Sequence, residues 1–199
     1  MFIPIVAASL GCGGGSGGGG GSCPGHACGG DVVGSWLATS ACVDDTAFTK
    51  QLLGSYASCS GVSVNGISAM PYGEVAFASD STYTISIGAD VQFNLTLPLS
   101  CLPSGSDCPS ADFTLGLGAA SCNGTQTCNC PGVAPINFGT SGDANGAGTY
   151  STSGTMLSLT GTANKSVDDG GPYCVQGDSL YLGLAGVPAI GANLLFEKQ

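Results

Sequence analysis

The chain has 199 residues, a formal net charge of −10 at pH 7 and a charged fraction of only 8%. It contains three lysines and no arginine, which excludes nucleic-acid binding through phosphate contacts and docking of a basic patch onto an anionic membrane. The length allows one domain of about 150 to 170 residues plus a tail. A hydrophobic fraction of 43% argues against a disordered chain.

A short apolar run precedes the first cysteine. Residues 2–10 form this run, which is too short for a bilayer-spanning helix of about 20 residues. The letters SLGC at its end, with Cys12 last, resemble the lipobox of bacterial lipoproteins. The resemblance implies that diacylglycerol is attached to the Cys12 thiol and that the chain is cleaved before this residue. Residues 1–11 are therefore predicted to be a truncated signal segment, and Cys12 is predicted to be the lipidation site.

A glycine tract follows Cys12. Residues 13–22 consist of eight glycines and two serines, which behave as a flexible coil spanning about 15–20 Å. We expect residues 12–30 to be a lipid-anchored tether that holds a folded domain, residues 31–199, close to a membrane. The resemblance to lipoproteins also implies that glycine, rather than aspartate, directly after Cys12 favours the outer membrane of a bacterial cell envelope.

The eleven cysteines are an odd number. Disulfides in an oxidising compartment account for this many cysteines more simply than free thiols do, and the odd count leaves one cysteine without a partner. If Cys12 carries the lipid, ten cysteines remain for five bonds. The predicted disulfide cysteines are Cys23, Cys28, Cys42, Cys59, Cys101, Cys108, Cys122, Cys128, Cys130 and Cys174.

Spacing alone leaves the connectivity of these ten cysteines open. Pairing near neighbours in the sequence predicts one set of bonds. The set is Cys23–Cys28, Cys42–Cys59, Cys101–Cys108, Cys122–Cys128 and Cys130–Cys174.

The first predicted elements are a strand and a helix. The strand contains Gly34 and Trp36 in the sequence DVVGSWLATSAC. Asp44 or Asp45 can cap the helix that follows, in which apolar residues recur at helical spacing. These apolar residues are Phe48, Leu52, Leu53 and Tyr56.

The remaining segments predict strands. EVAFAS and TYTISI flank Asp80 as the two arms of a hairpin. VQFNLTL alternates apolar with polar residues, which is typical of a strand with one face towards water. NLLFEK predicts the last strand. The apolar positions of the alternating segment are Val91, Phe93, Leu95 and Leu97.

An internal repeat predicts two further hairpins. The pattern Y-x-x-x-G-x-x-L-x-L begins at Tyr150 and again at Tyr173. In each copy a glycine, Gly154 or Gly177, falls where a tight turn requires a positive φ. Two successive hairpins form a meander, so the sequence predicts an all-β fold of eight or nine strands with one early α-helix, arranged as an up-and-down barrel or as a sandwich.

Several of these features resemble known families. The G-x-W of the first strand, the hairpin meander and a lysine in the last strand are similar to the lipocalin architecture, an up-and-down antiparallel β-barrel of about eight strands. The glycine tract, CGGDVVGSW, YCVQGDSLYL and the terminal FEK resemble uncharacterised cysteine-rich lipoproteins of myxobacteria. The resemblance implies a disulfide-rich barrel domain on an extracytoplasmic lipid anchor.

Catalytic and metal sites are not predicted. His26 is the only histidine and lies in the predicted tether, so no Ser/His/Asp or Cys/His constellation can form inside the barrel. Zinc ligation by Cys23, His26 and Cys28 with Cys128 and Cys130 is an alternative to disulfides, but neither cysteine pair has the C-x2-C spacing typical of structural zinc sites.

These observations predict a membrane-anchored lipoprotein without catalytic activity or cofactor. Its partners would be the membrane, through the lipid on Cys12, and a small apolar ligand inside the barrel. The alternative is a structural or interaction module of the cell envelope that binds no ligand. This alternative predicts a filled barrel and an exposed apolar or aromatic patch.

Overall fold

A computed structural model describes residues 26–102, 104–108, 113–115, 118–137, 145–161, 169–183 and 193–199. These residues form one α-helix, two short 3-10 segments and eleven strands. The helix is α1 (Asp45–Leu53), and the strands are β1 (Gly34–Cys42), β2 (Ser63–Phe77), β3 (Thr82–Pro98), β4 (Phe113–Leu115), β5 (Gly118–Ala120), β6 (Thr127–Asn137), β7 (Asn145–Ser153), β8 (Met156–Gly161), β9 (Asp169–Gln176), β10 (Ser179–Gly183) and β11 (Asn193–Lys198).

Eight of the strands close into an antiparallel barrel. Their order is β2-β1-β11-β10-β9-β8-β7-β3, and β3 pairs back onto β2. Neighbouring strands of this ring follow one another in the chain, apart from the insertion β4–β6 between β3 and β7, and the first and last strands, β1 and β11, pair to close it. The predicted up-and-down barrel of about eight strands with one early helix is therefore confirmed.

The long strand β3 belongs to two parts of the sheet. Its first residues, Thr82–Ser86, pair with β7 in the barrel, while Gly88–Pro98 pairs with β6. The predicted strands TYTISI and VQFNLTL are thus one continuous strand of 17 residues. Its second half extends beyond the barrel as a sheet with β2, β6, β5 and β4.

Helix α1 covers one face of this extension. Asp44 caps the helix by accepting a 2.8 Å hydrogen bond from the Ala47 amide, which decides between the two predicted capping residues. The rings of Phe48 and Phe93 pack with their centroids 5.8 Å apart. The predicted alternation of β3 is confirmed, since its apolar side chains are buried under the helix or in the barrel.

The internal repeat forms the two predicted hairpins. Ser153 pairs with Met156 and Gln176 with Ser179, so each hairpin has a two-residue loop. The first loop residues are Gly154 and Gly177, with φ of 61° and 60°, as a type II′ turn requires. The repeat therefore builds four consecutive strands of the barrel, β7 to β10.

The near-neighbour disulfide pairing is wrong for every cysteine that it can be tested on. Four other bonds, with sequence separations from 8 to 146, take its place. They are Cys28–Cys174, Cys59–Cys101, Cys108–Cys128 and Cys122–Cys130.

Strand pairing explains the observed connectivity. Cys59 precedes β2 and Cys101 follows β3, and the antiparallel pairing of these strands brings the two residues together. Cys122 and Cys130 flank the bridge between Asn123 and Asn129 in the same way. Cys42 is also disulfide-bonded, and its partner lies outside the described residues.

The N-terminal described residues form a strap along β9. The amides of Cys28 and Gly29 donate to the carbonyl of Tyr173, and the Val175 amide donates to the carbonyl of Gly29. The Cys28–Cys174 bond holds the strap and joins two cysteines with a sequence separation of 146. Residues 26–30, which the sequence assigns to the tether, are therefore packed against the barrel in this structure.

Candidate functional site

The predicted barrel motif lies at the start of β1. Trp36 is fully buried, and its indole Nε1 donates a 2.7 Å hydrogen bond to the carbonyl of Val32. The Lys198 ammonium of β11 lies 5.3 Å from the centroid of the Trp36 ring. The lysine of the last strand therefore packs on the buried tryptophan of the first strand. Cys12 and Cys23 lie outside the described residues.

Large side chains fill the inward positions of the barrel. The register places Trp36, Val75 and Ile85 side by side on three neighbouring strands, and each of these side chains is at most 3% exposed. Tyr173 on β9 and Phe196 on β11 are buried as well. Gly146 and Gly148 of β7 lie opposite Ile85 and Tyr83 of β3. Because these glycines have no side chains, they leave room for the large side chains of β3.

Two cavities lined by described residues lie at the margins of the barrel. The larger has a volume of about 290 Å³ and lies where β1 begins, beside the hairpin of β2 and β3. Its lining includes Gly34, Ser35, Phe77 and Thr84. The smaller has a volume of about 30 Å³, room for about one water molecule.

His26 lines the smaller cavity together with Cys42 and Asn193. Its imidazole packs on the ring of Tyr181 with the centroids 4.3 Å apart. Because Cys42 is the last residue of β1, His26 lies beside the end of that strand.

The outer face of β1, β2, β3 and β6 carries exposed apolar side chains. Among the described residues, five large hydrophobic side chains are exposed, and four of them lie on these strands with 43 to 51% of their surface accessible. Two carboxylates stand among them, Glu74 on β2 and Asp90 on β3. We call this surface the apolar-acidic patch, formed by Leu37, Met70, Tyr72, Val133, Glu74 and Asp90.

Two groups near the β2–β3 turn have shifted pKa values. Hydrogen bonds from the Thr82 side chain and amide, at 2.6 and 3.0 Å, lower the pKa of Asp80. Burial, with the negative charges of Asp31 and Asp80, raises the pKa of Tyr150. The Tyr150 hydroxyl donates to the carbonyl of Ala78 over 2.9 Å, which ties β7 to this turn.

The described residues do not support the zinc alternative. Cys28, Cys128 and Cys130 are each half of a disulfide, so none of them is a thiolate that could bind a metal. Within the part of the chain that the structure describes, no group of three His, Cys, Asp or Glu side chains is placed to hold a metal ion.

The disulfides indicate an oxidising, extracytoplasmic compartment for the folded domain. Of the helices in the described ranges, none is both long and apolar enough to cross a bilayer. No protein-family profile matches the chain, and no curated protein matches it.

Proposed function

We propose that the protein is a membrane-anchored, extracytoplasmic β-barrel module of the bacterial cell envelope that acts through contacts on its outer surface. The observation that carries this proposal is the packing of the barrel, whose inward positions hold Trp36, Tyr83, Tyr173 and Phe196, each at most 2% exposed. A barrel filled in this way is a rigid scaffold, whereas carriers of small ligands keep a cavity of about 300 Å³ or more.

The anchor in this proposal is a diacylglyceryl group on Cys12 in the outer membrane, as in the cysteine-rich lipoproteins that the sequence resembles. Eight cysteines are paired with one another in the described bonds. Cys42 therefore has Cys12 or Cys23 as its partner. Cys23 is three residues before His26, and His26 lines the same cavity as Cys42. A Cys23–Cys42 bond would leave Cys12 free for the lipid.

The alternative function is binding of a small apolar ligand. The observation that favours it is the cleft of about 290 Å³ beside Gly34 and Phe77. This cleft lies at one end of the barrel, and its lining includes the hydroxyls of Ser35 and Thr84. A ligand there would touch the rim of the barrel rather than occupy its interior.

An apolar fluorescent probe separates the two functions. N-phenyl-1-naphthylamine should show no saturable fluorescence increase with the purified protein, because buried side chains such as Trp36 and Phe196 fill the inward positions of the barrel. The matched control is the Ala76→Trp variant, which fills the cleft from its lining. Saturable binding to the native protein that the variant abolishes would support the ligand carrier and contradict the packed scaffold. Extraction of bound lipids, followed by mass spectrometry, provides the same comparison for natural ligands.

A further inference from the structure

We propose that the apolar-acidic patch binds a segment of another protein that carries arginine next to apolar side chains. This inference rests on the proposed function, because it names the surface and the chemistry of the partner through which the module acts. It is argued from the position, the charge and the size of the patch.

The patch is continuous across four strands. Leu37 of β1 lies opposite Glu74 of β2, and Met70 of β2 lies opposite Asp90 of β3. Gln92 of β3 lies opposite Val133 of β6. Side chains two residues apart on a strand share a face, so all these residues point away from the core. Four of the five exposed large hydrophobic side chains of the described residues thus form one surface.

The apolar side chains of the patch are held in place. A β-carbon at Gly88 would collide with the ring of Tyr72, so this ring lies directly over the Gly88 backbone. The Gln92 amide contacts the Met70 sulfur over 4.0 Å. Side chains that are ordered before binding lose little conformational entropy on contact, and exposed Tyr and Met are enriched at interfaces.

The charge of the patch selects a cationic partner. Glu74 lies on β2, the strand of Tyr72, and Asp90 lies on β3, the strand of Gly88, over which the Tyr72 ring packs. The strands β1, β2, β3 and β6 contain no lysine, arginine or histidine. A guanidinium can stack on the exposed side of the Tyr72 ring and form paired hydrogen bonds with a neighbouring carboxylate. The ammonium of lysine is not planar and cannot form such paired hydrogen bonds, so arginine fits the patch better than lysine.

The size of the patch favours a short segment over a second copy of this chain. Four strands and six residues along β2 span about 14 Å by 20 Å, or about 300 Å². A stable dimer buries about 800 Å² on each partner. In a two-fold dimer, Glu74 and Asp90 would also face the same carboxylates of the other copy. A peptide-like segment meets neither difficulty.

A pair of synthetic peptides tests the proposal. The probe is a labelled nine-residue peptide with two arginines between leucine and phenylalanine, and its matched partner has citrulline, which is uncharged and has the same shape, in place of each arginine. Fluorescence anisotropy with the purified protein should show binding of the arginine peptide that weakens with salt. The citrulline peptide should bind at least fivefold more weakly.

Variants then locate the binding surface. Asp90→Asn and Glu74→Gln should each weaken binding of the arginine peptide about two- to fivefold, and Tyr72→Ala about fivefold. The matched controls are Asp178→Asn and Met156→Ala, which remove an exposed carboxylate and an exposed methionine outside the patch. These controls should bind as the native protein does, and thermal unfolding should show that all five variants remain folded.

The outcomes separate this inference from the proposed function. Equal binding of the two peptides, or native binding by the patch variants, would overturn the inference. Displacement of the peptide by a neutral oligosaccharide such as maltohexaose would identify the patch as a glycan site and overturn it as well. A barrel that takes up the naphthyl probe while the patch binds the arginine peptide would overturn only the packed scaffold. A barrel that excludes the probe and ignores the peptide would overturn only the patch.

Discussion

At the scale of single residues, Trp36 connects the segment before β1 to the last strand of the barrel. Its indole donates to the carbonyl of Val32, which fixes the strap before β1, and its ring receives the Lys198 ammonium from β11. A β-carbon at Gly34 would press on the Lys198 side chain, at 2.9 Å from its Cε. The G-x-W motif is therefore explained by packing: glycine leaves space for the cation above the tryptophan.

The contact between Lys198 and Trp36 gives a first prediction. Lys198→Met keeps the aliphatic stem but removes the cation, so the free energy of unfolding should fall by about 0.5–1 kcal/mol. Lys198→Arg should restore it, because a guanidinium also stacks on an indole. Urea unfolding followed by tryptophan fluorescence measures both changes. Equal stability of the Met and Arg variants would show that the cation contributes nothing.

Asp80 gives a prediction on pH. Hydrogen bonds from Thr82 lower the pKa of Asp80 in the folded state below its unfolded value. The carboxylate therefore stabilises the fold above the unfolded pKa, and this contribution is lost as the pH falls through the folded pKa. Asp80→Asn should be less stable than the native protein at pH 7, and the difference should vanish in acid. Urea unfolding over a pH series measures it, and a difference that persists in acid would contradict this account.

At the scale of elements, helix α1 and the strap depend on contacts outside their own segments. Helix α1 has nine residues, a length that is marginal in isolation, so capping and packing against β3 determine whether it forms. The segment from the strap to β1, residues 26–33, forms no strand of its own. The strap depends on the Cys28–Cys174 bond and on the Tyr173 hydroxyl, which donates to the carbonyl of Gly30 over 3.0 Å.

Substitutions of two neighbouring aspartates, Asp44 and Asp45, test the helix cap. Asp44→Ala should lower the free energy of unfolding by about 1 kcal/mol, because the Ala47 amide loses its acceptor. Asp44→Ser should retain most of the stability. Asp45→Ala should cost only a few tenths of a kcal/mol through the helix dipole. Chemical denaturation measures the three variants, and equal losses at both aspartates would show that Asp44 is not the cap.

The strap can be tested by removing its disulfide. The double variant Cys28→Ala and Cys174→Ala should lower stability by about 2–4 kcal/mol and increase amide hydrogen exchange in residues 28–30. The matched control removes Cys59 and Cys101, whose bond lies at the far end of the β2–β3 hairpin. The control should leave exchange in the strap unchanged. Protection of the strap in the first variant would show that hydrogen bonds alone hold it.

At the scale of the whole molecule, local patterns predicted the strands and turns, and the resemblance to lipocalins predicted the barrel, whereas contacts between distant segments could not be predicted. The alternation of β3 and the glycines at Gly154 and Gly177 carry their structure within a few residues, so these strands and turns were confirmed. Strand β6 was missed because TCNCPGVAPIN contains two prolines and a glycine and lacks a clear alternation. Its strand character comes from pairing with β3.

The disulfide pairing and the apolar-acidic patch could not be predicted from the sequence for the same reason. Cys28 and Cys174 meet only because the strap lies along β9, and sequence distance carries no information about that contact. The patch brings together side chains from four strands, and each is an ordinary exposed residue in its own strand. Its position depends on the register between strands, which the buried faces and turns of several segments set together.

Membrane anchoring is the central claim, and it depends on which cysteine pairs with Cys42. The most direct test is mass spectrometry of the purified native protein, both intact and after proteolysis without reduction. The account predicts a chain that begins at Cys12 with a diacylglyceryl group on its thiol, and five disulfides that include Cys23–Cys42. A Cys12–Cys42 bond, or an unmodified chain that retains residues 1–11, would contradict it.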